Sequence, residues 1–181
     1  MVYYRTVMDV ADGNRARSVE DIAAAMVVES LAGGGTLKVT INSRSMSPCI
    51  LPGDTLELRA PGRRLLPGTV VIALGRRRLL THRVVATRPG AVLLKGDAAP
   101  DFDGWLTSER IIAEAFAITR HGHRHDLKTT ANRFRGLAAA VLSRFQASLW
   151  PGRPDVGFAR LAGGAFFMAY RSVLRLLFLR L

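Results

Sequence analysis

Between residues 36 and 120 the chain alternates short apolar, β-branched runs with turn residues. Leu37-Lys38-Val39-Thr40-Ile41 switches between apolar and polar at every position, the period-two pattern of a half-buried strand. Leu56-Glu57-Leu58 repeats the pattern after the turn Pro52-Gly53-Asp54, and residues 69–74 form a β-branched run after Pro67-Gly68. Residues 79–87 and 91–95 flank the turn Arg88-Pro89-Gly90, and residues 111–118 supply a last strand. Such runs, bounded by Pro and Gly, predict a mostly β, barrel-like domain rather than βαβ units.

The period changes on either side of this stretch. Ser18 has the chemistry of an N-cap and Glu20 and Asp21 follow in the first turn. Ile22, Met26, Val27 and Leu31 recur at helical spacing until Gly33-Gly34-Gly35 ends the pattern. Beyond His121 the chain turns helical and basic. Phe134, Leu137, Ala138, Val141, Leu142 and Phe145 recur at helical spacing within 132–150, among Arg133, Arg135 and Arg144. Pro151-Gly152-Arg153-Pro154 breaks this helix, and a second begins near Phe158. The expected organisation is an N-terminal helical segment (1–35), a β catalytic domain (36–120) and a basic amphipathic helical region (121–181), α+β overall.

Composition narrows the choice of partners. The 181 residues are 49% hydrophobic, enough to bury a core, and 26 basic against 14 acidic residues give a formal charge of +12. That charge suits anionic lipid or nucleic acid. No helix-turn-helix, zinc-finger or RNA-recognition pattern accompanies it, so nucleic acid is not expected. Cys49 is the only cysteine, which excludes an intramolecular disulfide and a cysteine-built zinc cage. Residues 1–17 carry no secretory apolar region. Residues 156–181, the nearest approach to a membrane span, are interrupted by Arg160, Arg171, Arg175 and Arg180.

The C-terminal helices therefore have three readings. They pack on the β domain, dock a partner protein, or lie in an anionic membrane interface with Phe166, Phe167, Tyr170, Leu174, Leu177 and Phe178 in the acyl region. The expected location is peripheral membrane association, and otherwise the cytoplasm. His121, His123 and His125 alternate and in a strand would share one face. A solvated basic loop is the reading favoured over a metal site, and no cofactor or metal is expected. Arg76-Arg77-Arg78 has the composition of an exposed hairpin tip.

Three segments place a reactive side chain beside turn or glycine chemistry: Ser43-Arg44-Ser45-Met46-Ser47-Pro48, Thr81-His82-Arg83-Val84-Val85, and Lys95-Gly96-Asp97 followed by Asp101 and Asp103. A serine hydroxyl needs a base to become a nucleophile, histidine titrates near working pH, and a carboxylate behind the ring fixes its tautomer. Ser45, His82 and one of Asp97, Asp101 or Asp103 meet those requirements if the strands bring them together.

The ordered series Ser-x-Ser-Met-x-Pro, Pro-Gly-Asp, Gly-x-Val-Val at Gly68 to Val71, His-Arg-Val-Val and Lys-Gly-Asp resembles that of the type I signal peptidases over about residues 39–117. The wider clan includes the LexA-like self-cleaving proteins. The resemblance implies a serine endopeptidase that binds an extended peptide or preprotein with small residues before the cut. It makes Ser45 the nucleophile, with its own N–H and the Ser43 hydroxyl forming the oxyanion hole, and places Met46 beneath the site. His82 stands where the bacterial enzymes and LexA-like proteins have a lysine base, and is similar to the histidine of the endoplasmic-reticulum and archaeal branch. In that branch acidic residues after Lys-Gly-Asp complete the site. Asp97 matches the first, and Asp103 fits the second better than Asp101. Arg44 stands in place of the usual glycine, Cys49 in place of a frequent threonine, and no N-terminal membrane anchor precedes Ser45. That last departure motivates the alternative of a LexA-like or UmuD-like module that cleaves itself or does not cleave.

Overall fold

The computed structural model describes residues 19–75, 78–149 and 157–178, with side chains described over 21–75, 78–147 and 166–178. Ser18, Arg76, Arg77 and the Pro151-to-Pro154 break lie outside the described residues.

The architecture is an eight-stranded antiparallel sheet with three helices. The strands are β1 (Leu37–Thr40), β2 (Thr55–Arg59), β3 (Val70–Leu74), β4 (Leu79–Arg88), β5 (Ala91–Lys95), β6 (Gly104–Thr107), β7 (Ile111–Arg120) and β8 (His123–Asp126). Their order is β1-β2-β7-β3-β4-β5-β6, with β8 also paired to β7. Among the described residues no pairing joins β1 to β6, so the sheet is open. Bulges at Glu57/Leu58, Ile72/Ala73 and between Val84 and Ala86 add local twist.

Two strands escape the sequence pattern. β6 reads Gly-Trp-Leu-Thr and opens on a glycine with positive φ; β8 reads His-Arg-His-Asp and has no apolar residue to mark it. β8 is held by its pairing with β7 and by Arg124, which donates to both oxygens of Glu57 on β2. His123 and His125 therefore sit in a strand, while His121 (φ 48°) occupies the tight turn before it. Sequence favoured a loop here because all three histidines are polar, whereas strand pairing is a tertiary effect. The C-terminal helical region accordingly begins after β8 rather than at His121.

Helix α1 (Val19–Leu31) lays Ala24, Leu31, Val27 and Val28 on the core formed by Ile41, Met46, Leu56, Leu58, Val70, Ile72, Ile112, Ala115 and Ile118. Ile22 and Met26, which share the helical spacing, face out. A positive-φ turn at Gly33 and Gly34 ends the helix.

Helix α2 (Thr130–Leu149) is capped by Thr129, whose Oγ1 accepts from the Asn132 N–H. Small residues rather than the large apolar ones line its inner face. Gly136, Ala139, Ala140, Ser143, Gln146 and Ala147 face inward, while Phe134 (71% exposed), Leu137, Val141 and Phe145 face out. The cause is close approach to the turn before β3. Gly68 has φ +95°, and a Cβ there would lie 2.5 Å from the Gly136 carbonyl carbon. Only small residues let a helix sit so near the backbone.

Helix α3 (Gly157–Phe178) then buries Tyr170, Leu174 and Phe178, spaced i, i+4 and i+8, against Cys49 and Ala139. Three of the side chains expected to enter an acyl layer are thus covered by protein, and Phe167 and Leu177 are partly covered. No helix among the described residues is long and apolar enough to cross a membrane.

Candidate active site

Ser45 lies in the segment between β1 and β2. Its ends are clamped by Ile41 N–H to Asp54 O (2.8 Å) and Gly53 N–H to Ile41 O (2.8 Å). The Pro-Gly-Asp turn supplies the anchor. Arg120, at the end of β7, donates to both Asp54 carboxylate oxygens (2.9 and 2.6 Å) and to the Cys49 carbonyl (3.0 Å), and the Leu51 N–H donates to Asp54 Oδ2. A bidentate Arg–carboxylate pair fixes direction as well as distance, so it holds the turn that carries the serine. Met46 is fully buried in the core beneath this turn, and the Ser43 and Ser45 hydroxyls are 3.2 Å apart.

His82 and Arg83 are consecutive on β4 and point to opposite faces of the sheet. The His82 Nδ1 lies 2.5 Å from Asp103 Oδ2. A carboxylate only accepts, so Nδ1 carries the proton and a neutral ring has its lone pair on Nε2. Asp103 is positioned by its own N–H bond to Leu94 O at the end of β5 (2.9 Å).

Gly96 brings the two halves together. A Cβ at this position would lie 2.8 Å from the Ser45 carbonyl oxygen and 3.0 Å from His82 Nε2. The serine backbone and the free ring nitrogen thus flank one glycine. The Ala98 N–H donates to Ser45 O (2.8 Å), tying the segment after β5 directly to the nucleophile turn. Ser45 Oγ is bonded to Ser43 rather than to the His82 ring.

The three aspartates separate cleanly. Asp103 reaches His82. Asp97 is wholly buried on the other face, where Arg83 Nε and Nη2 donate to its two oxygens (2.8 and 2.6 Å) and Nη1 donates to Gly68 O (2.9 Å). Burial opposes the Arg83 charge, but the carboxylate beside it more than compensates and raises its pKa. Asp97 is therefore an anchor for the loop rather than the partner of the ring. Asp101 is exposed in the same loop.

A compact polar cluster lies behind the sheet, under α2 and α3. Lys95 pairs across the strands with Arg83 and is completely buried. Its Nζ donates to Gly96 O at 3.4 Å and sits 5.2 Å from the centre of the Tyr170 ring. Burial pushes its pKa down to about 8, against the pull of Asp97, Asp103 and Asp101. The Phe178 ring faces Arg83, and the Tyr170 hydroxyl bonds Ser143 (2.7 Å). Burial and the nearby Asp97 push the Cys49 thiol pKa up. Among the described residues no group of three or more His, Cys, Asp or Glu is arranged to hold a metal ion.

A cavity of about 650 Å³ opens on this rear side, between the 59–70 segment and the first turns of α2; neither Ser45 nor His82 lines it. Comparison with protein-family models, curated proteins and solved structures found no match.

Four residues of this arrangement were not singled out by sequence: Gly96, Arg83, Lys95 and Arg120. Each sits in or beside a noted motif, yet its role depends on which face of a strand it occupies or on a partner 14 to 66 positions away. Removing Arg83 leaves Asp97 buried and uncompensated. Arg83→Met is expected to cost about 3–5 kcal/mol, measured by urea denaturation, and the double variant Arg83→Met/Asp97→Leu to recover most of it. Equal stability of Arg83→Met and wild type would contradict the anchoring role.

Proposed function

We propose that the chain is a serine endopeptidase of the signal-peptidase type, built on a barrel-like variant of that fold, with Ser45 as nucleophile, His82 as general base and Asp103 as the orienting carboxylate. One observation carries this reading: His82 Nδ1 is committed to Asp103 while Nε2 faces the Gly96 position beside the Ser45 backbone. The ordered motifs that resemble signal peptidases independently name the same serine and histidine.

In the proposed reaction an extended peptide lies with its scissile carbonyl beside Ser45. The Ser45 hydroxyl turns from Ser43 to His82 Nε2, gives up its proton and attacks the scissile carbonyl. The imidazolium, stabilised by Asp103, returns that proton to the leaving amine. The acyl-enzyme is then hydrolysed by water, which His82 deprotonates. The Ser45 N–H and Ser43 hydroxyl stabilise the tetrahedral oxyanion. Substrates with small side chains before the cut follow from the resemblance alone.

A fluorophosphonate probe tests this. Wild type is expected to be labelled, Ser45→Ala not at all, and His82→Ala and Asp103→Asn at rates lower by about 10³-fold or more. Equal labelling of wild type and Ser45→Ala would contradict the nucleophile.

The outward face of α2 supports a second element of the proposal, peripheral attachment to an anionic membrane. Phe134, Leu137, Val141 and Phe145 form an exposed stripe, with Met168, Val173 and Leu176 exposed on α3. Neither helix contains an acidic residue. An apolar stripe among arginines suits an interface of acyl chains and anionic headgroups. This is a different face from the one around Tyr170. Wild type is expected to float with phosphatidylglycerol vesicles at low salt, and Val141→Glu/Phe145→Glu to remain in the soluble fraction. Failure of wild type to float would remove this element and leave the peptidase reading untouched.

A further inference from the structure

A buried lysine without a carboxylate at hydrogen-bond distance is costly, and burial of this kind is concentrated where a chain trades stability for function. Lys95 is such a residue, with one long bond to Gly96 O and the face of Tyr170 as its contacts. Those contacts have a direction. The carbonyl that Lys95 holds belongs to Gly96, the residue lying between Ser45 and His82 Nε2. The segment that follows carries Asp97, Asp101 and Asp103, and all three act on the Lys95 charge. The same segment is held from α2 by Gln146 Nε2, which donates to Pro100 O (3.1 Å), and from α3 through Phe178 on Arg83, the partner of Asp97.

We propose that Lys95, seated on Tyr170, is a positioning residue for the site, and that the α2–α3 pair is part of the active-site machinery rather than an appendage to it. The buried ammonium orients the Gly96 peptide and draws the acidic segment 97–103 toward the sheet, so that Asp103 stays on His82. The Tyr170 ring shields the ammonium from water while its π face favours the charge. The inference rests on the peptidase reading for its consequence but not for its geometry.

The test uses the full chain, with Lys95→Met, Tyr170→Leu and Tyr170→Phe. Lys95→Met removes the charge at nearly constant shape, so its thermal midpoint at pH 7 is expected to rise above wild type. The same variant is expected to label with fluorophosphonate at least tenfold more slowly. The low-field proton resonance of the His82 Nδ1–H is expected to weaken through faster exchange with water. Tyr170→Leu is expected to slow labelling and weaken the His82 resonance likewise, and Tyr170→Phe, which keeps the ring over Lys95, to lose less of both than Tyr170→Leu. A merely structural role would change the midpoint and leave labelling and the His82 resonance unaltered in folded protein. Wild-type labelling and an unchanged His82 resonance in Lys95→Met would overturn the proposal. If wild type itself does not label, the peptidase reading fails and the His82 resonance alone decides the positioning role. If Lys95→Met does not fold, Tyr170→Leu provides the same two readouts.

Discussion

The buried ion pair between Arg83 and Asp97 is the constraint on which the rest of the arrangement depends. Arg83 leaves β4 on the face opposite His82, and Asp97 follows the glycine that separates His82 from Ser45. By tying these two points the pair fixes the path of the chain after β5. That path sets where Ala98 meets Ser45 and where Asp103 meets His82. The pair is buried, with Phe178 of α3 facing Arg83. A charge pair in such surroundings is weak evidence for added stability, since desolvation offsets most of the attraction. Its effect here is directional: it fixes a loop that has no regular secondary structure of its own.

A second Arg–carboxylate pair does the same for the other half of the site. Arg120 and Asp54 hold the nucleophile turn to the end of β7, as Arg83 and Asp97 hold the acidic loop to β4. The sheet sets the distance between the two clamps through the pairing of β2 with β7, β7 with β3 and β3 with β4. Of the proposed catalytic residues, Ser45 and Asp103 thus come from irregular segments whose geometry is imposed by strands, and His82 from strand β4 itself. This is how reactive groups on loops acquire fixed positions.

Much of the sheet was legible, because 37–41 and 56–58 alternate and 69–74, 79–87, 91–95 and 111–118 are apolar-rich runs bounded by turn residues, as strands buried on both faces are. β6 and β8 were not, since β6 opens on a glycine and β8 has no apolar residue to mark it. The helices were legible in extent but not in orientation. Whether Phe134, Leu137, Val141 and Phe145 pack or face out was open, and a Gly68–Gly136 contact visible only in three dimensions turns them outward. At the site, Ser45 and His82 were legible from motif chemistry. The choice among Asp97, Asp101 and Asp103 was open because it depends on loop path. Lys95 was hidden for the same reason that it is informative: nothing in a sequence marks a lysine that will be buried.

The most direct test of the account is the position of the covalent adduct after reaction with a fluorophosphonate. Trypsin cuts after Arg44 and so separates Ser43 from Ser45, and fragment-ion masses distinguish Ser45 from Ser47. A single adduct on Ser45 is expected, formed by wild type and abolished by prior heat denaturation. An adduct on Ser43 or Ser47, or labelling that survives denaturation, would contradict it.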